Sequence, residues 1–363
     1  MSTASQTATR ADRLAALAAE RELDALLVTR LVNVRYLTGY TGSNGITVVG
    51  ADGLRRFVTD FRYVTQAEEQ VHGYERVIGE TDLLEQVAPG LPDGPVKLGF
   101  DDAQVSVKTH ARLRELLPER VELVPAGGLV EQLRLVKDAQ EVERIRAAAQ
   151  LADAALERVL EEGLVGRTER AVALALEHEM QRLGARAASF DTIVAAGGHG
   201  ALPHATPRDV EIPAGTLVVI DWGAELDGYC SDCTRTYATG TVDQQTRDVY
   251  ELVLRAQLAG LAAVGPGLSA RAADAVARDL IAVGGHGERF GHGLGHGVGM
   301  EVHEAPRLSR ASTATLAAGN VVTVEPGIYL PGALGVRIED LVLVTDDGRE
   351  VLSTLSKELT VIG

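Results

Sequence analysis

Thr216-Leu-Val-Val-Ile-Asp-Trp-Gly223 is an apolar strand that ends on an acid. It turns through Glu225-Leu-Asp-Gly228 and returns as Tyr229–Tyr237, which carries Asp232. In an antiparallel hairpin, directly opposed residues share one index sum, and Asp221 and Asp232 share the sum of Glu225 and Gly228, which flank the turn centre. Without a bulge the two carboxylates therefore face each other, with Cβ atoms about 5 Å apart. Like charges so placed on an apolar strand repel, so a cation is expected between them. The pattern repeats downstream. Asn320–Glu325 and Gly335–Val344 read as strands of a hairpin centred on Gly332, which opposes Glu325 and Glu339. The bland alternative turns one member of each pair to solvent. Two acidic hairpins in one domain are hard to explain as packing.

Histidines gather in the same part of the chain. Six of nine (His199, His204, His286, His292, His296 and His303) fall between positions 199 and 303. Gly291-His-Gly-Leu-Gly-His-Gly-Val-Gly299 places two of them four apart among glycines, where backbone and metal can approach closely. The run does not have the Gly-x-Gly-x-x-Gly spacing of a dinucleotide fingerprint. Four carboxylates with an imidazole form a hard, oxygen-rich set that suits Mn²⁺, with Co²⁺ or Zn²⁺ able to substitute. The acids exceed what one divalent ion needs for charge balance, so two divalent ions are expected.

At 363 residues the chain exceeds a single core, and two domains are expected. The first third alternates strands (Ala25–Thr29, Ile46–Val49, Arg56–Val58, Val96–Phe100) with helices (Leu14–Arg21, Ser106–Leu117), an α/β pattern. Pro125-Ala-Gly-Gly128 marks the boundary, giving domains 1–128 and 129–363. Asp138 and Glu141 then form a capping box, and a second helix starts near Thr168 and stops at Gly184. Beyond Ile193 strands dominate, around helices across 246–264 and 270–283.

A formal net charge of −16 repels phosphate backbones and anionic lipid, so neither nucleic acid nor a membrane is an expected partner. Met1 to Arg10 is polar, with no apolar leader, and no run approaches the roughly 20 apolar residues of a membrane span. A cytoplasmic protein is expected. Cys230 and Cys233 read as lying on one strand, where residues three apart point to opposite faces, so they are expected to be bystander thiols.

The sequence resembles the peptidase family that includes methionine aminopeptidase, aminopeptidase P and prolidase. Five positions match in type, order and spacing: Asp221 in Ile-Asp-Trp-Gly, Asp232 in Ser-Asp-Cys-Thr-Arg-Thr, His296 in Gly-His-Gly-Val-Gly, Glu325 in Val-Glu-Pro-Gly-Ile-Tyr, and Glu339 in Arg-Ile-Glu-Asp. Asn33-Val-Arg-Tyr-Leu-Thr-Gly39 and Val58-Thr-Asp-Phe-Arg-Tyr63 resemble the creatinase-type N-terminal domain of the proline-specific branch. The resemblance implies an α/β creatinase-like N-terminal domain followed by an α+β pita-bread catalytic domain, and commonly a homodimer. It implies that Asp232 and Glu339 bridge two metals, that His296 and Glu325 complete one, and that Asp221 chelates the other. Glu325 would take the proton from the attacking water. His204 and His303 resemble the outer histidines that stabilise the oxyanion and pass a proton to the leaving nitrogen. His292 resembles a wall of the proline pocket, and Arg337 an arginine that orients the ligands.

The implied substrates are peptides with proline at the second position. Cleavage of longer peptides, as by an Xaa-Pro aminopeptidase, is the expectation, because Thr38–Gly45, the implied lining from the N-terminal domain, carries no cation. The alternative is an Xaa-Pro dipeptidase, in which Arg307 would bind the free proline carboxylate. A non-catalytic binding protein of the same fold is the more remote alternative, since such relatives tend to lose the ligands. Gly197-Gly-His-Gly200 departs from the family pattern, and His199 reads as a surface-loop histidine.

Overall fold

The computed structural model describes residues 3–363, with side chains from Thr9 onward; Met1 and Ser2, at the head of the polar stretch, lie outside the described residues. The chain forms two compact units, one ending at Arg134 and the second spanning Leu135–Gly363.

The first unit is a mixed sheet with helices. Its strands are β1 (Ala25–Val28), β2 (Ile46–Gly50), β3 (Arg55–Asp60), β4 (Glu75–Gly79), β5 (Val96–Phe100) and β6 (Val121–Pro125), in the order β4-β3-β2-β1-β5-β6. β1 runs parallel to β5 and antiparallel to β2. Its helices are α1 (Thr3–Glu20), α2 (Leu31–Thr38), α3 (Val64–Gln70), α4 (Val107–Leu116) and α5 (Leu129–Arg134). Ser106 caps α4 by accepting from Thr109 N, as its position predicts.

The second unit begins with α6 (Ala139–Glu161) and α7 (Glu169–Arg182). Asp138 and Glu141 form the expected capping box, which fixes where α6 starts. Ile145, Ala149, Ala152 and Leu156 follow at helical spacing and are buried. Then come β7 (Ala187–Ala188), β8 (Ile193–Ala196), β9 (Leu217–Trp222), β10 (Ala224–Leu226), β11 (Tyr229–Cys230) and β12 (Cys233–Ala238). α8 (Gln244–Ala263) and α9 (Ala270–Val283) precede β13 (Gly295–Gly297), β14 (Glu304–Leu308), β15 (Val321–Val324), β16 (Gly327–Leu330), β17 (Leu334–Arg337), β18 (Asp340–Val344) and β19 (Arg349–Val351).

Two large apolar clusters among the described residues lie in this unit. α6 and α7 pack Leu156 and Leu176 against Val194, Val218 and Trp222, while α8 and α9 pack Val253 and Ala277 against Val322 and Val342. This is the expected α+β arrangement. No helix among the described residues is long and apolar enough to cross a membrane. The two thiols are free and buried, Cys230 on β11 and Cys233 on β12, in separate clusters.

Candidate active site

The first acidic hairpin is built on Asp227-Gly228. Both residues have positive φ, 50° and 83°, the conformation of a two-residue turn that matches strand twist. That turn sets Leu226 opposite Tyr229 and, further along, Asp221 opposite Thr234. The expected Asp221–Asp232 opposition is therefore corrected by two residues. The even shift keeps Asp232 on the parity of Thr234, and it falls in the break between β11 and β12, where the chain leaves one sheet for another. Gly223 stands at the matching break, and a Cβ there would lie 2.0 Å from Ser231 O.

The second hairpin has the expected register. Leu330 pairs with Leu334 around Gly332, and Val324 with Asp340, so Glu325 and Glu339 occupy matching positions where β15–β18 gives way to β16–β17. His296 lies on β13, its N–H donating to Thr323 Oγ1 at 3.1 Å. Its Nδ1 donates to Gly297 O at 3.1 Å, which leaves Nε2 as the free lone pair. Nε2 is 3.4 Å from both Asp232 Oδ2 and Glu325 Oε1. Asp232, His296 and Glu339 each offer a ligand atom within 4.8 Å of the others.

This assembly lacks charge balance of its own. Burial, reinforced by Glu339 and Asp221, pushes the Asp232 carboxyl well above the carboxylate range. Burial also raises Glu339, and pushes Glu325 up to about 7 against the opposing Arg337 charge. His296 is pushed down to about 3 by burial, so it presents a neutral ring. Asp221 Oδ1 and Glu339 Oε1 are buried with no hydrogen-bond partner. Buried carboxylate oxygens left without donors, beside a neutral imidazole lone pair, are the donor set a divalent cation requires. The residues fit the expected metals.

Around this set, Arg337 is buried and ties several groups together. Its Nη2 donates to Asp221 Oδ2 at 2.6 Å, its Nε to Thr234 Oγ1 at 2.9 Å, and its Nη1 to Tyr329 Oη at 3.0 Å. Thr234 in turn donates to Glu339 Oε2 at 2.7 Å. His292 Nδ1 donates to Gly293 O at 2.8 Å, so its Nε2 accepts from Tyr329 Oη at 2.9 Å. Burial pushes His292 down to about 4. From α9, Arg278 donates to Phe290 O and His292 O at 2.8 and 2.6 Å, holding the Gly-rich run. Thr234, Tyr329 and Arg278 were not singled out in the sequence. Tyr329 sits in the Val-Glu-Pro-Gly-Ile-Tyr match, the one signal that pointed to it.

A cleft of about 980 Å³ opens over the acids, lined also by His204, His292, His303 and Arg307. His303 is exposed, with its ring centroid 4.4 Å from that of His296. Partial desolvation of the ring at the cleft wall, then the nearby Arg307 charge, lowers its pKa. Arg307 is the direct β-partner of His296, so the two side chains share a face of the sheet. His199 is not a surface histidine. Its ring is buried against Glu169, with Nδ1 2.9 Å from Oε2.

Fold and site together define a metallopeptidase. Residues 143–346 match metallopeptidase family M24 and residues 10–136 the creatinase/prolidase N-terminal domain, and the chain belongs to this family. It is 43% identical over 352 residues to the uncharacterized peptidase YqhT of Bacillus subtilis (strain 168), covering 97% of this chain and 99% of the relative. It is 36% identical to an Xaa-Pro dipeptidase of Pyrococcus horikoshii, covering 94% and 95%. Among solved structures, an Xaa-Pro dipeptidase from Bacillus anthracis superposes with a TM-score of 0.94 at 41% identity, covering 98% and 99%. An X-Pro aminopeptidase from Thermotoga maritima MSB8 superposes with a TM-score of 0.88 at 34% identity, covering 94% and 99%.

Proposed function

We propose that this protein is an Xaa-Pro dipeptidase, which reverses the order expected from the residues lining the N-terminal domain. The observation that carries the reading is Arg307, paired across β13–β14 with His296 and lining the cleft. A dipeptide substrate ends in a free proline carboxylate, and a guanidinium is the group best shaped to bind it. The similarity to the Xaa-Pro dipeptidases of Pyrococcus horikoshii and Bacillus anthracis supports the same choice.

In this reading Asp221, Asp232, His296, Glu325 and Glu339 would hold two divalent ions, with Mn²⁺ the preferred metal for so oxygen-rich a set. When bound, such ions lower the pKa of a water and polarise the scissile carbonyl. Glu325 accepts the water proton. His303 and His204 donate to the tetrahedral oxyanion and relay the proton taken up by Glu325 to the proline nitrogen, which must be protonated to leave. His292, held by Tyr329, walls the proline ring, and Arg337 holds Asp221 in place. A homodimer is the assembly we propose with it, on the family resemblance alone, and the cytoplasm the compartment, as expected from the sequence.

Relative kcat/KM on an Xaa-Pro dipeptide and an Xaa-Pro-Yaa tripeptide tests the choice. Preference for the dipeptide supports it, and preference for the tripeptide returns the assignment to the aminopeptidase.

A further inference from the structure

His204 has no hydrogen bond to its ring among the described residues and is exposed, yet the proposed chemistry needs it at one place in the cleft. Its position must be set through the backbone that carries it. That segment leaves β8 at Ala196 and returns at Arg208, and both ends meet one carboxylate. Glu169, the first residue of α7, has a side chain only 1% exposed. Its Oε1 accepts from Ala196 N at 2.9 Å and from Arg208 Nη2 at 2.9 Å. Its Oε2 accepts from Arg208 N and Arg208 Nε, each at 3.0 Å, and His199 Nδ1 lies 2.9 Å away.

We propose that Glu169 is a positioning residue: it staples both ends of the 197–207 segment to the start of α7 and thereby holds His204 in the cleft. The proposal rests on the reading of His204 as an oxyanion donor. An acid at this position also suits the helix N-terminus, which Thr168 caps. The middle of the segment is held separately. Arg337 Nη1 donates to Pro203 O at 3.1 Å. The Gly-rich entry packs so tightly on the second hairpin that a Cβ on Gly335 would lie 1.8 Å from Gly200 O. Without the Glu169 charge, two backbone N–H groups and a guanidinium lose their acceptor. The ends of the segment then keep only their backbone ties, Ala196 paired with Val218 and Arg170 N donating to Arg208 O at 3.0 Å, and open more readily.

The test measures amide hydrogen exchange in the Mn²⁺-loaded wild type, Glu169→Gln and Arg208→Ala, alongside kcat for each variant with and without His204→Ala. The Arg208 side chain is 46% exposed, so its loss disturbs packing less than a change at Glu169, whose side chain is 1% exposed. The expected result is faster exchange over 196–208 but not over 292–300, with metal content unchanged. In the same variants kcat falls roughly 10- to 100-fold, and neither substitution costs more once His204 is gone. Unchanged exchange over 196–208 overturns the proposal, as does an equal loss of kcat with and without His204. Exchange does not depend on which peptide is cleaved. A protein inactive on Xaa-Pro peptides would therefore refute the functional reading while still reporting on the staple.

Discussion

Arg337 Nη2 donates to Asp221 Oδ2 at 2.6 Å and leaves Asp221 Oδ1 buried without a protein partner. Through Thr234 the same guanidinium produces the same result at Glu339, where Oε2 is bonded and Oε1 is not. One buried cation thus orients two acids from different hairpins and keeps one oxygen of each available to a metal.

Replacing Arg337 with Gln removes that orientation without removing a ligand. Metal affinity is expected to fall roughly 10- to 100-fold, with activity recovered at high metal concentration. Titration of activity against Mn²⁺ in both proteins checks this. An unchanged midpoint with low activity would show that Arg337 acts on the substrate instead.

Glu325→Gln removes a ligand charge and the proton acceptor together, so turnover is expected to vanish. His303→Ala touches neither, and kcat is expected to fall by about 10² to 10³ with metal content nearly intact. Metal analysis beside single-turnover rates separates the two. Equal metal loss in both variants would refute this division of roles.

The metal-free protein should become less stable as pH rises above neutrality. Glu325 is pushed up to about 7 by burial, and Asp232 and Glu339 are raised well above the carboxylate range. Each binds its proton more tightly folded than unfolded. Their contribution is therefore full below the ordinary carboxylate range and is lost as pH rises from there up to their folded values. Burial lowers His292 and His296 to about 4 and about 3, which acts in the opposite sense, but only below about pH 6.5. Thermal denaturation of chelated protein should show Tm falling as pH rises past about 6.5 and levelling off once the folded values of these acids are passed. Added Mn²⁺ should abolish the fall. A Tm flat across that range would show that the acids are balanced by protein groups.

Arg307→Ala is expected to weaken dipeptide cleavage mainly through KM, because the guanidinium holds ground state and transition state alike. Tripeptide cleavage should change little. A matching loss on both substrates would place Arg307 at the reacting bond rather than at the carboxylate.

The carboxylates, His296 and the helices with strong caps were legible because their signals are local. Asp138 with Glu141, and Ser106, fix helix starts from adjacent residues, and the Glu325–Glu339 register follows from one turn at Gly332. The expected register of the first hairpin places the turn centre one residue early, although Asp227-Gly228 is itself the signal of a two-residue turn. α2 carries little local signal: it is eight residues long and follows Arg30, which makes no side-chain cap. β4 is a largely exposed edge strand without an apolar face. Thr234 and Tyr329 could not be found by residue type, since neither titrates strongly nor ligates. Thr234 meets Glu339 across 105 positions of chain, a contact only the folded sheets create.

The account stands most directly on metal stoichiometry measured against activity. Chelated protein titrated with Mn²⁺ should be inactive on an Xaa-Pro dipeptide at the start and should reach full rate as two ions bind per chain. Cleavage by protein shown to be free of metal, or full activity with no ion held by Asp221, Asp232, His296, Glu325 and Glu339, would contradict it.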